Sequence, residues 1–324
     1  MAVLLTHDDV RDLLTMRDAI AALERAALEQ SRGETRLPPR LTVDVPGGWL
    51  RMMPAALLGR GVMGFKEMHS TKGVGVRYLI NLYDVASGAL LAVMDADWIT
   101  AMRTAATSAL ATRYLARPGV GRVGVLGSGE QARAHVRALA EVRRFADVRI
   151  YSPRPERRDA FAAWIRREFS CDAGAEDTAE DAVAGADVVI AAFRASGSPV
   201  LRAAWIRPGT HVVGISSVRP EAREIEDRVW ALSDRVVVDD RAHVLESGDG
   251  RSAVASASLD PARAVELWEI VSGRAAGREG AGEITLFKSA GTALQDLAVA
   301  ALVCDRAASA GRGRDLGEFP RAKA

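Results

Sequence analysis

The chain has 324 residues, of which 48% are hydrophobic and 26% charged, enough to bury the cores of two ordinary domains. Its 43 basic and 42 acidic residues leave a net charge of +1, which gives no electrostatic footprint for nucleic acid. No apolar run reaches the roughly 18 residues of a membrane span, and His7, Asp8 and Asp9 stand where a secretory leader needs an apolar core. Cys171, Cys304 and five scattered histidines form neither a disulfide framework nor a metal-ligand spacing. The expectation is a cytoplasmic protein with no metal site, no membrane anchor and no nucleic-acid partner.

The N-terminus opens with two helix starts, Thr6-x-x-Asp9 and Thr15-x-x-Asp18, each patterned as a capping box with Asp in place of Glu. Ile20, Leu23, Ala27 and Leu28 then form an apolar stripe at helical spacing, ended by Gly33. Leu37-Pro-Pro-Arg40 is extended, because proline disfavours helix at the residue before it. Strands follow at Leu41 to Val45 and Trp49 to Met53 around the Pro46-Gly-Gly48 turn, then at Gly61 to Met68, Tyr78 to Tyr83 and Ala89 to Met94. Ile99 to Ala116 reads as a long Ala-rich helix that stops before the Pro118-Gly119 linker.

Beyond the linker, strands alternate with helices. The strands are 122–127, 147–151, 187–192, 211–215, 235–239 and 284–288; the helices are 130–143, 155–169, 178–184 and 261–272. This alternation predicts an α/β fold of the Rossmann type, a doubly wound parallel sheet. An α+β domain from the N-terminal region joins it, and a last helix near 290–310 returns to that domain. The expected boundaries are 1–116 for the substrate and dimerisation domain, 117–295 for the dinucleotide domain, and 296–324 for the returning helix and polar tail.

Within this frame Arg122-Val-Gly-Val-Leu-Gly-Ser-Gly-Glu-Gln-Ala132 carries the clearest chemistry. An apolar strand runs into Gly127, Gly129 and Ala132, and a helix follows at once, which is the Gly-x-Gly-x-x-Ala turn of a dinucleotide site. Gly127, Ser128, Gly129, Glu130 and Gln131 form the turn and first helical positions. There, unpaired N–H groups and the positive dipole end receive a pyrophosphate. The second strand ends in Ser152 with no acid to bind a ribose 2′-hydroxyl, and Arg154 and Arg157 follow. Ser152 and Arg154 suit a 2′-phosphate, so the cofactor is NAD(P) with NADP favoured. The alternative is that Arg154, Arg157 and Arg158 are a solvated helix face.

The N-terminal region offers Arg40, Arg51, Lys66, Lys72, Arg77 and Arg103 as anchors for an acidic substrate. Arg40 is stiffened by two prolines. Lys66 lies in the strand-like Gly64-Phe-Lys-Glu-Met68, where an ammonium among apolar residues needs a negative partner. That partner is either the protein's own Glu67 or Asp84, or a substrate carboxylate. Arg103 and Thr104, on the polar face of the Ala-rich helix, either meet a pyrophosphate or leave Arg103 paired to Asp95 or Asp97.

From about residue 5 to 310 the chain resembles the ornithine cyclodeaminase/mu-crystallin family. The resemblance is carried by Leu37-Pro-Pro-Arg40, Arg51-Met-Met-Pro54, Gly64-Phe-Lys66, Leu82-Tyr-Asp84, Ser87-Gly88 and Ile99-Thr-Ala-Met-Arg-Thr-Ala-Ala106. It continues through the glycine turn, Arg219-Pro-x-x-Arg-Glu-Ile225, Val238-Asp239, Glu246-Ser-Gly-Asp249 and Ile284-x-x-Phe-Lys-Ser-x-Gly291. The resemblance implies a homodimer built on the N-terminal sheet and last helix. It implies that Arg40 and Lys66 hold the α-carboxylate of an amino or imino acid, and that Arg103 and Thr104 meet the cofactor phosphates. It places Ser289, with Lys288 beside it, at the nicotinamide, and the strand end with Ser216 and Ser217 under its ribose.

Two departures matter. No carboxylate lies between Gly214 and Pro220, where ornithine cyclodeaminases carry an Asp for the substrate amine. The segment between Lys66 and Tyr83 is short, and carries His69, Lys72 and Arg77, while Lys288 stands where an Asp is usual. Both point to a more acidic substrate than ornithine, with His69, Lys72 or Arg77 for a second carboxylate. The expected activity is NAD(P)H-dependent reduction of a small α-imino acid to an amino acid, or the reverse dehydrogenation, with Lys66 or a bound water as candidate acid. The alternatives are a cyclodeaminase on another diamino acid with recycled NAD, and an NADPH-binding protein without significant turnover.

Overall fold

The structure is a computed structural model that describes residues 2–193, 197–215, 219–317 and 319. Strand β1 (Val3–Leu5) leads into helix α1 (His7–Leu13), whose start is fixed by Thr6. The Thr6 hydroxyl accepts from Asp9 N at 3.3 Å, and the Asp9 carboxylate accepts from Thr6 N at 3.0 Å, so the expected capping box is present. Helix α2 (Met16–Ser31) is capped in turn by Thr15, which accepts from Asp18 N at 3.3 Å. Five strands follow β2 (Thr35–Arg36): β3 (Leu41–Val45), β4 (Gly48–Leu57), β5 (Val62–Thr71), β6 (Gly75–Asp84) and β7 (Leu90–Asp95). Helix α3 (Asp97–Leu115) comes next.

The remaining elements alternate: β8 (Arg122–Leu126), α4 (Glu130–Ala140), β9 (Asp147–Tyr151), α5 (Pro155–Phe169), β10 (Asp172–Ala175), α6 (Ala179–Val183) and β11 (Val188–Ala191). Then come β12 (His211–Ile215), α7 (Asp227–Leu232), β13 (Arg235–Val238), α8 (Arg241–Glu246), α9 (Gly248–Ala255), β14 (Ala264–Glu266) and α10 (Leu267–Val271). The chain closes with β15 (Thr285–Ser289), α11 (Ala293–Ala310) and β16 (Arg314–Asp315).

The chain divides into two compact units, Met1–Arg103 with Thr292–Ala324, and Thr104–Gly291; the first division falls inside α3. In the first unit the strand order is β16-β1-β7-β6-β5-β4-β2, with β3 paired to β4. The run β3 to β7 is antiparallel throughout. Helix α11 packs on β4, β5 and β6 and against α2, so one face of this sheet is covered by a helix whose first half is buried all round. Its first turn is locked by a second capping box, in which Thr292 accepts from Gln295 N and the Gln295 side chain accepts from Thr292 N at 3.2 Å.

In the second unit all eight strands are parallel, in the order β10-β9-β8-β11-β12-β15-β13-β14. The chain runs outward from β8 to β10 and then returns to pair β11 on the other side of β8. That reversal is the switch point of a doubly wound sheet, where ligands bind beyond the carboxyl ends of the strands. Leu126, Val189, Ile225, Trp230, Val238 and Leu286 belong to one buried cluster beneath it.

Two corrections concern elements. Residues 261–272 are not one helix but a 3-10 turn, Pro261–Arg263, then β14 and α10. The Asp260 side chain accepts from Ala262 N at 2.9 Å and caps the start of that short turn. Strand β10, absent from the expected set, pairs with β9 over four residues.

Candidate active site

In the second unit, β8 delivers Gly127 to the switch point with φ +118°, a conformation that favours glycine. A Cβ there would strike the carbonyl oxygen of Ala192, just past β11. Gly127 N donates to Tyr151 O at 2.8 Å, which ties the turn to the end of β9. Gly129 is the N-cap of α4 and offers no side chain to the helix's first N–H groups. A Cβ added at Gly129 meets only open space, so the protein itself does not require a glycine there. Gln131 Oε1 in the first turn is buried without a hydrogen-bond partner among the described residues. An uncapped helix start and an open cradle together fit a pyrophosphate-bearing dinucleotide. Glu130 is exposed beside them, and Ala132, fully buried, lets α4 sit close to the sheet.

At the end of β9, Ser128 Oγ donates to Ser152 Oγ at 2.9 Å, and Ser152 is buried. Arg154 and Arg157 are exposed at the start of α5. Arg158 is committed to the protein: it pairs with Asp177, donates to Ser152 O at 3.3 Å and lies over the Tyr151 ring at 6.0 Å. Ser216 and Ser217 lie outside the described residues. Ser289, at the end of β15, donates to Asp239 Oδ2 at 2.6 Å, and Asp239 also accepts from Ala290 N and Gly291 N. Thr104 is half-buried on α3.

The first unit holds a buried charge cluster. Lys66, only 1% exposed, points from β5 to the face covered by α11, with Met53, Ile80 and Met94 as its neighbours across the strands. Its Nζ donates to Asp296 Oδ1 at 3.0 Å, and Arg103 Nε approaches the same oxygen at 2.9 Å. Arg103 also donates to Gln295 Oε1 at 3.0 Å, the amide that caps α11. The Tyr78 ring lies 5.4 Å from Nζ. Burial pushes the ammonium down, Asp296 pulls it back up, and the nearby charges of Arg103 and Arg40 lower it again, leaving Lys66 with a pKa of about 8. One carboxylate therefore faces two cations, with the charge of Arg40 close to Lys66 as well.

The partner of Lys66 is thus a protein acid, but neither of the two expected from sequence. Glu67 points to the opposite face of β5, as period-two alternation requires, and contacts His69 Nδ1 at 3.2 Å. Asp84 is spent on the following turn, accepting from Ser87 N at 2.7 Å and from Ser87 Oγ at 2.6 Å. The same alternation separates other candidates. Arg51, opposite Met68, shares the Lys66 face; its Nε donates to Thr42 Oγ1 at 3.0 Å. His69 and Arg77 pair with each other on the far face, and Lys72 is exposed in the β5–β6 turn. The expected trio for a second carboxylate is therefore not gathered beside Lys66 within this unit, because residues 66 and 69 differ by an odd number.

Lys288 also departs from expectation. It is buried, and its Nζ donates to Asp249 Oδ2 at 2.8 Å and Glu224 Oε2 at 3.2 Å. Burial lowers its affinity for a proton, but the two acids more than offset that, so its pKa is raised. The positive charge read as a sign of an acidic substrate is answered from inside the protein. Asp249 Oδ1 in turn accepts from Glu224 N at 2.8 Å and Ile225 N at 3.2 Å. Asp296, Asp249 and Glu224 were all missed as interacting acids. For Asp296 the sequence does carry a signal, a lone carboxylate inside the apolar run Ala293-Leu-Gln-Asp-Leu-Ala-Val-Ala300.

With this geometry in hand, comparison with known proteins is specific. The profile of the ornithine cyclodeaminase/mu-crystallin family matches residues 1–311. The alanine dehydrogenase of Archaeoglobus fulgidus is 32% identical over 324 residues, covering 98% of each chain. The ketimine reductase mu-crystallin of Rattus norvegicus is 34% identical over 313 residues, covering 93% of this chain and 96% of its own. Among solved structures, Thermococcus litoralis Delta(1)-pyrroline-2-carboxylate reductase in complex with NADH and L-proline superposes with a TM-score of 0.92 at 34% identity, covering 97% of this chain and 100% of that one.

Proposed function

This chain belongs to the ornithine cyclodeaminase/mu-crystallin family, and we propose that it reduces a small α-imino acid to an amino acid, or runs the reverse dehydrogenation, with NAD(P)(H). The observation that carries the reading is Lys66: a buried ammonium tuned to about 8, set against one carboxylate, with Arg103 and Arg40 adding positive charge. Such a cluster attracts an α-carboxylate and holds a proton that can be given up near neutral pH.

Residues Gly127 to Gln131 would hold the pyrophosphate through N–H groups at the α4 start. When bound, the dinucleotide supplies the hydride. Arg40 and Lys66 orient the substrate through its carboxylate, which turns an encounter into a fixed geometry. Lys66 gives a proton to the substrate nitrogen: an Nζ–H bond breaks, an N–H bond forms on the imine lone pair, and the π pair of C=N becomes the amine lone pair as the carbon takes up the hydride. Water then returns a proton to the neutral amine. Ser289 is oriented by Asp239 and keeps its hydroxyl in one place for the nicotinamide end.

For the cofactor's form we favour NADP, supported by the absence of an acid after β9 and by Ser152 and exposed Arg154 there. The Thermococcus relative, by contrast, is seen with NADH. A homodimer is supported by the apolar row on β3, where Leu41, Val43 and Val45 are 55%, 48% and 53% exposed.

The test offers cyclic and acyclic α-imino acids with each reduced cofactor and follows nicotinamide absorbance. Turnover is expected, and Lys66→Ala should lower it by roughly 10²–10⁴-fold while dinucleotide affinity is kept. Ammonia release from a diamino acid without added cofactor would instead support cyclodeamination. Dinucleotide binding with no turnover across the panel would support a binding protein.

A further inference from the structure

The buried carboxylates of this protein are satisfied unequally. Asp249 accepts on both oxygens, from Glu224 N, Ile225 N and Lys288 Nζ. Asp239 does the same, from Ser289 Oγ, Ala290 N and Gly291 N. Asp296 is 0% exposed, yet Oδ1 alone meets Lys66 and Arg103, and Oδ2 is buried with no donor among the described residues. A carboxylate placed only to stabilise a fold is expected to satisfy both oxygens. We propose that Asp296 is a positioning residue for proton transfer: through Oδ1 it fixes Lys66 Nζ and sets how tightly Lys66 holds its proton. This rests on the imino-acid reading above for its catalytic meaning.

Among the described residues, Asp296 is the one acid that raises the proton affinity of Lys66. From α3 comes Arg103, from the segment before β3 comes Arg40, and both oppose the ammonium. From β6 comes the Tyr78 ring, and from β4 the Met53 side chain, with Arg51 two residues away on the same face. Glu67 and His69 lie on the other side of the strand and answer each other. Asp296 is itself held by the Thr292–Gln295 capping box, and Gln295 also accepts from Arg103. Without the carboxylate, burial and two guanidinium charges would drive the proton from Lys66 at working pH.

The chain contains only four lysines, Lys66, Lys72, Lys288 and Lys323, so full-length protein labelled with 13C-lysine gives a spectrum simple enough to titrate. Lys66 is identified by the resonance lost in Lys66→Arg. In Asp296→Asn, without cofactor or substrate, its midpoint is expected to fall by more than one pH unit, and Asp296→Glu should recover part of the shift. The limb of the kcat/KM profile for imino-acid reduction that reports Lys66 should move by the same amount, with dinucleotide affinity within about twofold. An unmoved midpoint in a folded Asn variant, or activity lost with the pH profile unmoved, overturns the proposal. Should the Asn variant fail to melt cooperatively, the Glu variant decides: a displaced midpoint supports the role and an unchanged one refutes it. If the wild type reduces no imino acid at all, the functional reading fails, while the lysine titration still decides the link to Asp296.

Discussion

Lys66 and Lys288 are equally buried, at 1% exposed, and their surroundings are opposite. Lys288 meets two carboxylates, one of which also holds backbone N–H groups, so its ammonium is over-compensated and its proton is held tightly. Lys66 meets one carboxylate shared with Arg103, and its proton is loosened. On the proposed function, the difference separates a fastening from a reagent. A buried charge that ties loops together gains from every additional counter-charge, whereas one that must release a proton is kept short of them.

The comparison can be broken by truncation. Lys288→Met removes the cation shared by buried Glu224 and Asp249, leaving Arg223 3.6 Å from Asp249, and is expected to cost about 3–5 kcal/mol by denaturant titration. Adding Glu224→Gln and Asp249→Asn should recover part of the loss. If Lys288→Met alone melts like the wild type, the fastening role is wrong.

Acid should strike the second unit. His135 (Nε2 to Ser108 Oγ, 3.0 Å) and His211 (Nδ1 to Thr285 Oγ1, 2.8 Å) are both buried. Burial lowers them from 6.5 to about 4 and about 3 respectively, with Arg278 further lowering His211. The unfolded chain therefore takes up these protons first. Stability present above pH 6.5 should fall by about 1.4 kcal/mol per pH unit for each histidine as pH drops toward those lower values. A flat stability profile between pH 6.5 and 4.5 in His135→Gln/His211→Gln, with the wild type sloping, would support this; equal slopes would count against it.

Lys66 sharpens the contrast with the smallest effect. Its folded pKa of about 8 lies below the ordinary 10.5, so the folded state binds this proton less well than the unfolded. The stability it allows at high pH is lost as pH falls from 10.5 to about 8, by about 1.4 kcal/mol per unit. Lys66→Met keeps Asp296 against Arg103 and removes that loss, so at pH 7 it should melt no lower than the wild type. Its advantage should shrink above pH 8. A large destabilisation at pH 7 would make Lys66 a structural cation like Lys288.

Local chemistry was legible in the sequence. The glycine turn needs only a strand, a tight bend and a helix start, all within eleven consecutive residues, and the Thr6 cap needs four. Lys66 could be singled out because an ammonium between apolar strand residues is abnormal anywhere. Its partner was not legible, since Asp296 is 230 residues away and only the packing of α11 on β5 joins them. Strands β10 and β14 escaped because four and three residues are too few to show a period. The placing of His69 and Arg77 with Lys66 was avoidable, for alternation along a strand is a property of numbering alone.

That alternation governs how the hairpin of β5 and β6 can change. Residues added or removed at its tip, between Thr71 and Gly75, leave the buried ammonium where it is. A single residue slipped between Val62 and Lys66 would instead turn Lys66 outward and send Phe65 or its neighbour toward Asp296. Natural variation and protein engineering alike should find the distal loop permissive in any length and the proximal half tolerant only of even steps.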